Sequence, residues 1–312
     1  MTADEGATAA AGESPPRLSA LGGDLAAIVI CTLAWGTTWY AITLQLGVVD
    51  PVISIVYRFA LAAALLFAWC LARGETLSLT RAQHSATFGV GLFTFAMDYA
   101  FVYWAEERVT SAVVAVVFAA LAFFNLLAFR IAFSQRASLL AWGAAGLGIL
   151  GVALLSLEEI ASAHMGARAF TGIGLTLAAV VGAAIGNVFA RRGEIAGAGV
   201  AAATAWAMFY GAATLAIFAL VSGRAWTFEP SWSYALSLLH LAINGSVVAF
   251  LLYYGLARRR GYATASYISA LTPPVAMLVS AVFEAKTWGL VAMCGVALVL
   301  AGQWLLLRAK RN

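Results

Sequence analysis

The sequence contains little charge. Only 10% of its 312 residues are Asp, Glu, Lys or Arg, 63% are hydrophobic, and the mean hydropathy is +0.92. Soluble domains carry about 25% charged residues and about 45–50% apolar ones. The scarcity of charge therefore excludes a soluble globular protein and indicates an all-α polytopic membrane protein.

Cysteine is also scarce. Cys31, Cys70 and Cys294 have neither the spacing of a disulfide framework nor that of a metal site. Each lies in an apolar run, where a free cysteine usually behaves as a small buried hydrophobic residue. Residues 1–23 lack the basic start and the short apolar stretch of a signal peptide, and we predict that they form a disordered cytoplasmic tail.

Several catalytic and nucleotide-binding motifs are absent from the sequence. There is no G-x-x-x-x-G-K-[ST] loop for ATP, and neither H-E-x-x-H nor G-x-S-x-G occurs. An intramembrane enzyme would need a second buried titratable group beside Asp98, and the sequence offers only Arg58. We predict a protein that is not an enzyme and has no cofactor or metal.

Long apolar segments dominate the sequence. A transmembrane helix needs about 20 predominantly apolar residues, and breaks at charged and Pro- or Gly-rich stretches divide the chain into ten such spans. Their approximate limits are 24–46, 51–72, 84–105, 110–130, 138–157, 170–190, 199–222, 232–256, 264–283 and 288–307. Most connections are too short for a separate soluble domain.

Lys and Arg concentrate on one side of these spans. With the N-terminus in the cytoplasm, inner segments hold thirteen of the eighteen basic residues and outer loops hold four, the remaining one being the intramembrane Arg58. Acids such as Glu106 and Glu284 fall in the outer loops. Because cytoplasmic loops carry the excess of positive charge, we predict that both termini are cytoplasmic.

The two halves of the sequence match each other at an offset of 150 residues. Tyr103-Trp104-Ala105 aligns with Tyr253-Tyr254-Gly255, and Phe133-Ser134-Gln135-Arg136 aligns with Phe283-Glu284-Ala285-Lys286. With five spans each, the halves are inverted relative to one another, a plan typical of secondary transporters. We predict a first repeat at 24–157, an external linker at 158–169, a second repeat at 170–307 and a cytoplasmic tail at 308–312.

Short motifs add a family resemblance. They are Trp35-Gly36, the RF-x-x-A pattern at Arg58-Phe59-Ala60-Leu61-Ala62, and the glycines of the fifth and tenth spans, which are expected to allow close helix packing: Gly143, Gly146, Gly148, Gly151, Gly295 and Gly302. With the ten spans, they resemble the EamA type of the drug/metabolite transporter superfamily. Within it, the chain is similar to the YddG-type exporters of amino acids, aromatic ones included. The resemblance implies an inner-membrane carrier with a central cavity, and the paired halves predict alternating access.

Polar and aromatic residues recur at helical spacing on the first, third, fourth, sixth, eighth and ninth spans, which predicts a shared polar path. The predicted substrate site comprises Trp35, Thr38, Trp39, Thr94, Asp98, Tyr99, Phe118, Asn187, Asn244 and Ser269. Ser111 and Asn125 lie one heptad on either side of Phe118. The asparagines could instead hold helices together, and Ser or Thr could bond its own helix. Tyr253 and Tyr254 are predicted to be interfacial anchors.

Asp98 is an acid within the otherwise apolar stretch FTFAMDYAFVYW, residues 93–104. A carboxylate at a membrane-helix centre costs about 2.5–3.5 kcal/mol on insertion scales. Asp98 and Arg58 both lie about seven residues, or roughly 10 Å, below the outer ends of their spans. Three roles for Asp98 remain open from the sequence: a neutralised pair with Arg58, binding of a substrate ammonium, or transfer of a coupling proton.

Two prolines interrupt the backbone hydrogen bonding of the ninth span. Pro273 and Pro274 predict a bend that acts as a gating hinge, with no counterpart in the fourth span, where Phe123 and Phe124 stand instead. We predict a monomeric carrier in contact with membrane lipid and a small-molecule substrate, an amino acid or a similar metabolite, and not with nucleic acid. Other hydrophobic metabolites or drugs are the alternative substrates.

Overall fold

The structure is a computed structural model that describes residues 18–162 and 166–309. These residues form helices joined by turns and short loops, without a β-strand. In chain order the helices are α1 (Leu18–Thr43), α2 (Pro51–Ala72), α3 (Arg81–Glu106), α4 (Ser111–Phe133), α5 (Leu139–Ser162), α6 (Gly166–Ile195), α7 (Val200–Val221), α8 (Trp232–Arg260), α9 (Tyr267–Phe283) and α10 (Leu290–Ala309). A single turn, Tyr262–Ala265, precedes α9.

The predicted tails and linker fall partly outside this description. Residues 1–17, 163–165 and 310–312 lie outside the described residues. The predicted linker spans residues 158–169. Its described residues, 158–162 and 166–169, are helical, because α5 continues to Ser162 and α6 begins at Gly166.

Within residues 18–162 and 166–309, seven helical segments are long and apolar enough to cross a membrane. They are Gly22–Thr43, Pro51–Ala72, Arg81–Glu106, Ser111–Phe133, Gly166–Ile195, Val200–Val221 and Trp232–Arg260. Shorter apolar helical stretches occupy Leu139–Leu155, Leu271–Phe283 and Leu290–Leu306. The all-α membrane fold is confirmed, whereas the ten-span topology and the cytoplasmic location of both termini stay predictions.

α3 and α8 each contain a π-helical segment, a rare form with a wider turn than the α-helix. The segments are Gly91–Asp98 in α3 and Ile243–Val248 in α8. They end at positions 150 residues apart, the offset at which the halves of the sequence match. Glycine lets α6 approach the wider turn of α3, because a Cβ on Gly182 would lie 3.1 Å from the carbonyl oxygen of Phe93.

α4 is interrupted at Ala119 and Ala120. The N–H groups of these residues bond to the carbonyls of Val116 and Val117 at 3.0 Å, three residues back instead of four. The interruption is a local tightening of the helix, which needs neither proline nor glycine. The predicted gating bend of the ninth span, with no counterpart in the fourth, stays a prediction.

α9 runs from Tyr267 to Phe283 through both prolines. Pro273 has no N–H to donate to the carbonyl of Ser269, four residues back. The hydroxyl of Thr272 donates to that carbonyl instead, at 2.9 Å. The backbone oxygen that the proline frees is thus satisfied within the helix.

Glycines bring α5 and α10 together. A Cβ on Gly295 would lie 2.7 Å from the carbonyl oxygen of Gly151, and a Cβ on Gly302 would lie 2.6 Å from that of Ala144. By contrast, a Cβ on Gly143 would have no neighbour within 4 Å, and the same holds at Gly146 and Gly148. The predicted close packing is therefore confirmed at Gly151, Gly295 and Gly302, while the other three glycines leave room for a side chain.

Candidate functional site

A central cavity of about 70 Å³ lies between α1, α3, α4, α6, α8 and α9. These are the six helices on which the sequence shows polar and aromatic stripes. Nine of the ten predicted site residues line the cavity: Trp35, Thr38, Trp39, Thr94, Asp98, Tyr99, Phe118, Asn187 and Ser269. The structure thus brings them together, and their binding of a substrate stays a prediction.

Asn244 is the predicted site residue that lies outside the central cavity. It is exposed, and its amide nitrogen lies 3.1 Å from Nδ1 of His240. Nε2 of His240 in turn contacts the hydroxyl of Thr37 at 3.0 Å. The prediction assumed 3.6 residues per turn, whereas this part of α8 is π-helical, so residues before and after it do not share an α-helical face.

α8 contributes Phe250, Tyr253 and Tyr254 to the cavity instead. The two tyrosines are only 3% and 6% exposed, so the prediction that they are interfacial anchors is wrong. Two adjacent tyrosines near the end of a span are typical of an aromatic belt, and the sequence shows no sign of the π-helical turns that precede them. Leu121 and Thr272 are further lining residues outside the predicted set.

Aromatic rings form much of the cavity wall. The indole N–H of Trp35 donates to the carbonyl of Gly245 at 3.0 Å, which fixes the ring between α1 and α8. Its ring centroid lies 5.3 Å from that of Phe250. Trp39 packs against Phe118, with 5.2 Å between centroids. Such pairs contribute about 0.5–1.5 kcal/mol beyond the area that they bury, and they hold the wall rigid.

Five buried polar atoms at the cavity make no hydrogen bond of standard geometry with the protein. They are Trp39 Nε1, Thr94 Oγ1, Asp98 Oδ1, Tyr253 Oη and Tyr254 Oη. A buried polar group without a partner costs about 1–3 kcal/mol. The set includes a carboxylate oxygen and an indole N–H, so it offers both acceptors and donors to a polar ligand.

Asp98 and Arg58 are both buried, at 4% and 1% exposure, but they do not form an ion pair within 4.0 Å in the described part of the chain. The Nε of Arg58 donates to the hydroxyl of Ser246 at 3.0 Å. Its guanidinium stands 4.5 Å from the ring centroid of Tyr99 and donates to the hydroxyl of that ring at 3.4 Å. Tyr99 and Ser246 thus hold the cation, and the carboxylate of Asp98 is left facing the cavity.

A second buried acid, Glu106, lies at the end of α3. It is 7% exposed, and neither carboxylate oxygen has a hydrogen-bond partner in the described part of the chain. The sequence predicts that Glu106 lies in an outer loop, because a sequence pattern does not locate helix ends to within a turn. Glu106 does not line the central cavity.

Hydrogen bonds join α4 to α6, to the start of α9 and to the residue that follows α9. Asn187 donates its amide to Oδ1 of Asn125 at 3.1 Å, and Asn125 donates to the hydroxyl of Ser266 at 3.0 Å. At the other end of α4, Ser111 donates to Oε2 of Glu284 at 2.7 Å. Of the heptad line Ser111, Phe118 and Asn125, the middle residue therefore lines the cavity and the two outer residues hydrogen-bond to other segments.

The family of the chain follows from its sequence over both halves. The profile of the EamA-like transporter family matches residues 22–157 and again residues 170–308. The chain belongs to the EamA-like transporter family. This EamA-family protein therefore carries two copies of the family's domain, and its resemblance to the drug/metabolite transporter superfamily is confirmed.

Individual relatives agree with this assignment. The protein is 29% identical over 252 residues to the uncharacterized inner membrane transporter YedA of Escherichia coli (strain K12), which covers 79% of this chain and 78% of YedA. It is 27% identical over 131 residues to protein PagO of Salmonella typhimurium (strain LT2), covering 42% of this chain and 43% of PagO. This EamA-family protein is an integral membrane transporter of the bacterial inner membrane.

A solved crystal structure of a protein shares the fold. It superposes with a TM-score of 0.72 at 20% sequence identity, covering 93% of this chain and 98% of that one. The helix arrangement of this EamA-family protein is therefore also found in an experimental structure.

Proposed function

We propose that the protein exports amino acids, aromatic ones included, and related small metabolites by alternating access through the central cavity. The observation that carries the proposal is a buried carboxylate, Asp98, in a cavity with aromatic walls and unpaired donors. A zwitterion with an aromatic side chain offers a complementary group to each of these features. The resemblance to YddG-type exporters supports the outward direction.

The cavity has a place for each part of an amino acid. The ammonium would bond to Oδ1 of Asp98, and the carboxylate would accept from Nε1 of Trp39 and the hydroxyl of Tyr254, neither of which makes a hydrogen bond of standard geometry within the described residues. The side chain would pack on Phe118 and Phe250. Hydrogen bonds to charged groups contribute about 1.5–3 kcal/mol each. Proton transfer by Asp98 is the other role that the free carboxylate oxygen supports.

Alternating access is supported by the size of the cavity and by its closures. Its volume of about 70 Å³ is well below the ~300–1,000 Å³ of small-molecule sites. An aromatic amino acid would need the helices to move apart. Two hydrogen bonds would close the two sides of the cavity. Asn187–Asn125 joins two neutral amides and is worth about 0.5–1.5 kcal/mol net, whereas Ser111–Glu284 involves a charged group and is worth about 1.5–3 kcal/mol. Each side would open when its own bond breaks.

A counterflow assay tests the proposal. Proteoliposomes loaded with unlabelled L-tryptophan, L-phenylalanine or another amino acid are diluted into the same compound in labelled form, with protein-free liposomes as the control. We expect transient accumulation of label for at least one amino acid. No accumulation across a panel of amino acids would contradict the function proposed here.

A second candidate is export of other hydrophobic metabolites or drugs. The observation that favours it is the wall of the cavity, where Trp35, Trp39, Phe118 and Phe250 outnumber the single acid. Cationic aromatic dyes included in the counterflow panel separate the two candidates. Counterflow of the dyes without that of amino acids would support the second.

The prolines of α9 provide a prediction about rate. In the variant with Pro273→Ala and Pro274→Ala, residue 273 regains an N–H for the carbonyl of Ser269, and the helix stiffens. We expect a several-fold lower transport rate and an unchanged half-saturating substrate concentration, because neither proline lines the central cavity. Initial rates over a substrate series in proteoliposomes measure both.

The matched control is Pro230→Ala, in the exposed loop before α8. It removes a proline without adding a helical hydrogen bond and should leave the rate unchanged. Wild-type transport rates in the double variant would contradict a hinge at the prolines of α9.

A further inference from the structure

A second cavity, the inner vestibule, lies at the end of the bundle that the charge distribution predicts to be cytoplasmic. Its volume is about 620 Å³, and Asn125, Arg136, Arg191, Arg258 and Ser266 are among its lining residues. This volume falls within the ~300–1,000 Å³ range of small-molecule sites. The central cavity, at about 70 Å³, does not, so of the two the vestibule has room for a whole amino acid.

The charge of the inner vestibule has one sign. Arg136, Arg191 and Arg258 line it, and among the described residues no Asp or Glu does. Arg191 pairs with Glu194, which lies outside the lining. Arg136 and Arg258 form no ion pair within 4.0 Å in the described ranges. A cleft lined by one sign of charge raises the local concentration of the opposite ion by about 10- to 1,000-fold.

The vestibule adjoins the central cavity at two places. Asn187 lines the cavity, Asn125 lines the vestibule, and the hydrogen bond between their side chains separates the two. On α8, Tyr254 lines the cavity and Arg258 lines the vestibule. Four residues of helix advance about 6 Å, so the vestibule-lining Arg258 and the cavity-lining Tyr254 lie one turn of α8 apart.

We infer that the inner vestibule is a loading site for solutes that carry a carboxylate. Arg136 and Arg258 attract and bind the carboxylate there, and the solute passes into the central cavity when the Asn125–Asn187 hydrogen bond opens. This inference rests on the proposed function, because it names the substrate group that the carrier recognises first. It also assigns a gating role to Asn125, a residue that does not line the central cavity.

Thiol labelling of the purified full-length protein in detergent tests the electrostatic part. Ala137→Cys, or Gln135→Cys if the first fails to fold, places a thiol in the vestibule lining, and Cys294→Ala removes the exposed native thiol. Rates are measured with a sulfonate-bearing and a trimethylammonium-bearing methanethiosulfonate, each normalised to its rate with a free thiol. We expect the anionic reagent to be favoured roughly tenfold.

Adding Arg136→Gln and Arg258→Gln should bring that preference close to one. The matched control is the double variant Arg81→Gln with Arg130→Gln, two exposed arginines on the same predicted inner side that do not line the vestibule. It removes an equal charge from the inner side and should leave the preference unchanged. Equal rates for the two reagents, or an equal loss in this control, would overturn the inference.

Protection of the same thiol tests the solute. L-Tryptophan should slow labelling severalfold, and tryptamine, which lacks the carboxylate, should not. If an amino acid shows counterflow but none protects the thiol, the loading site fails and the proposed function stands. If the anionic preference holds but no amino acid shows counterflow or protection, the proposed function fails and the anion-attracting vestibule stands. Protection by added phosphatidylglycerol but not by tryptophan would assign the arginines to a lipid headgroup and overturn the loading site.

Discussion

Asp98→Asn is expected to lower the initial rate of transport about 100-fold, while the protein still inserts and purifies normally. Asparagine keeps the size and the hydrogen bonding of the side chain and removes its charge. Loss of a buried charge–charge contact with a ligand costs about 2–5 kcal/mol, and 100-fold corresponds to about 2.7 kcal/mol. Counterflow in proteoliposomes, with size-exclusion chromatography as the check on folding, measures the effect.

The same experiment separates a binding role from a structural one. If Asp98 only neutralised Arg58, Asp98→Asn would strand a buried cation, and the double variant Arg58→Leu with Asp98→Leu would recover stability and transport. The guanidinium of Arg58 is held by Ser246 and Tyr99 instead. We therefore expect the double variant to remain inactive, and recovery of transport in it would contradict a site at Asp98.

Gly151→Val is expected to destabilise the protein clearly. Overpacking of a core usually costs roughly 1–3 kcal/mol, and we expect a value in the upper part of that range. A Cβ on Gly151 would lie 2.8 Å from the backbone nitrogen of Val299 and would also clash with the carbonyl oxygen of Gly295. Backbone atoms of a packed helix cannot rotate away as a flexible side chain can. The temperature at which detergent-solubilised protein aggregates should fall clearly.

Gly143→Val is the matched control for this effect. It lies on the same helix, makes the same change of side chain and has no atom within 4 Å of a built Cβ. Both variants change helix propensity alike, so the difference between them isolates the contact of α5 with α10. Equal stability of the two variants would show that this contact is not tight.

Much of the cavity could be predicted from the sequence because most of its helices are regular. Trp35, Thr38 and Trp39 lie on one face of α1 at 3.6 residues per turn, and all three line the cavity. The same spacing finds Phe118 in the wall and Asn125 at the boundary of the vestibule. Predicting these positions requires only the period of the α-helix and the fact that polar groups are rare in membrane spans.

The differences arise where the backbone leaves that period and at the ends of spans. The helical period predicts Asn244 on the cavity face, whereas the π-helical segment of α8 shifts the faces and Asn244 lies outside the central cavity. Positions near span ends predict an interfacial Tyr253 and a loop residue Glu106, and both residues are buried. The Trp35 indole donates to a backbone atom, the carbonyl oxygen of Gly245. A backbone partner of this kind cannot be identified from residue types alone.

The two π-helical segments place Asp98 and Val248 at the same position, each the last residue of its segment. One position carries a carboxylate and the other an isopropyl group, so any similarity in backbone between the halves is not matched by a similarity in chemistry. Val248 does not line the central cavity, whereas Asp98 does, so among the described residues the second half places no acid there that would match Asp98. Under the proposed function, a molecule with one cationic end would therefore bind in a single orientation, with its two ends distinguished before any helix moves.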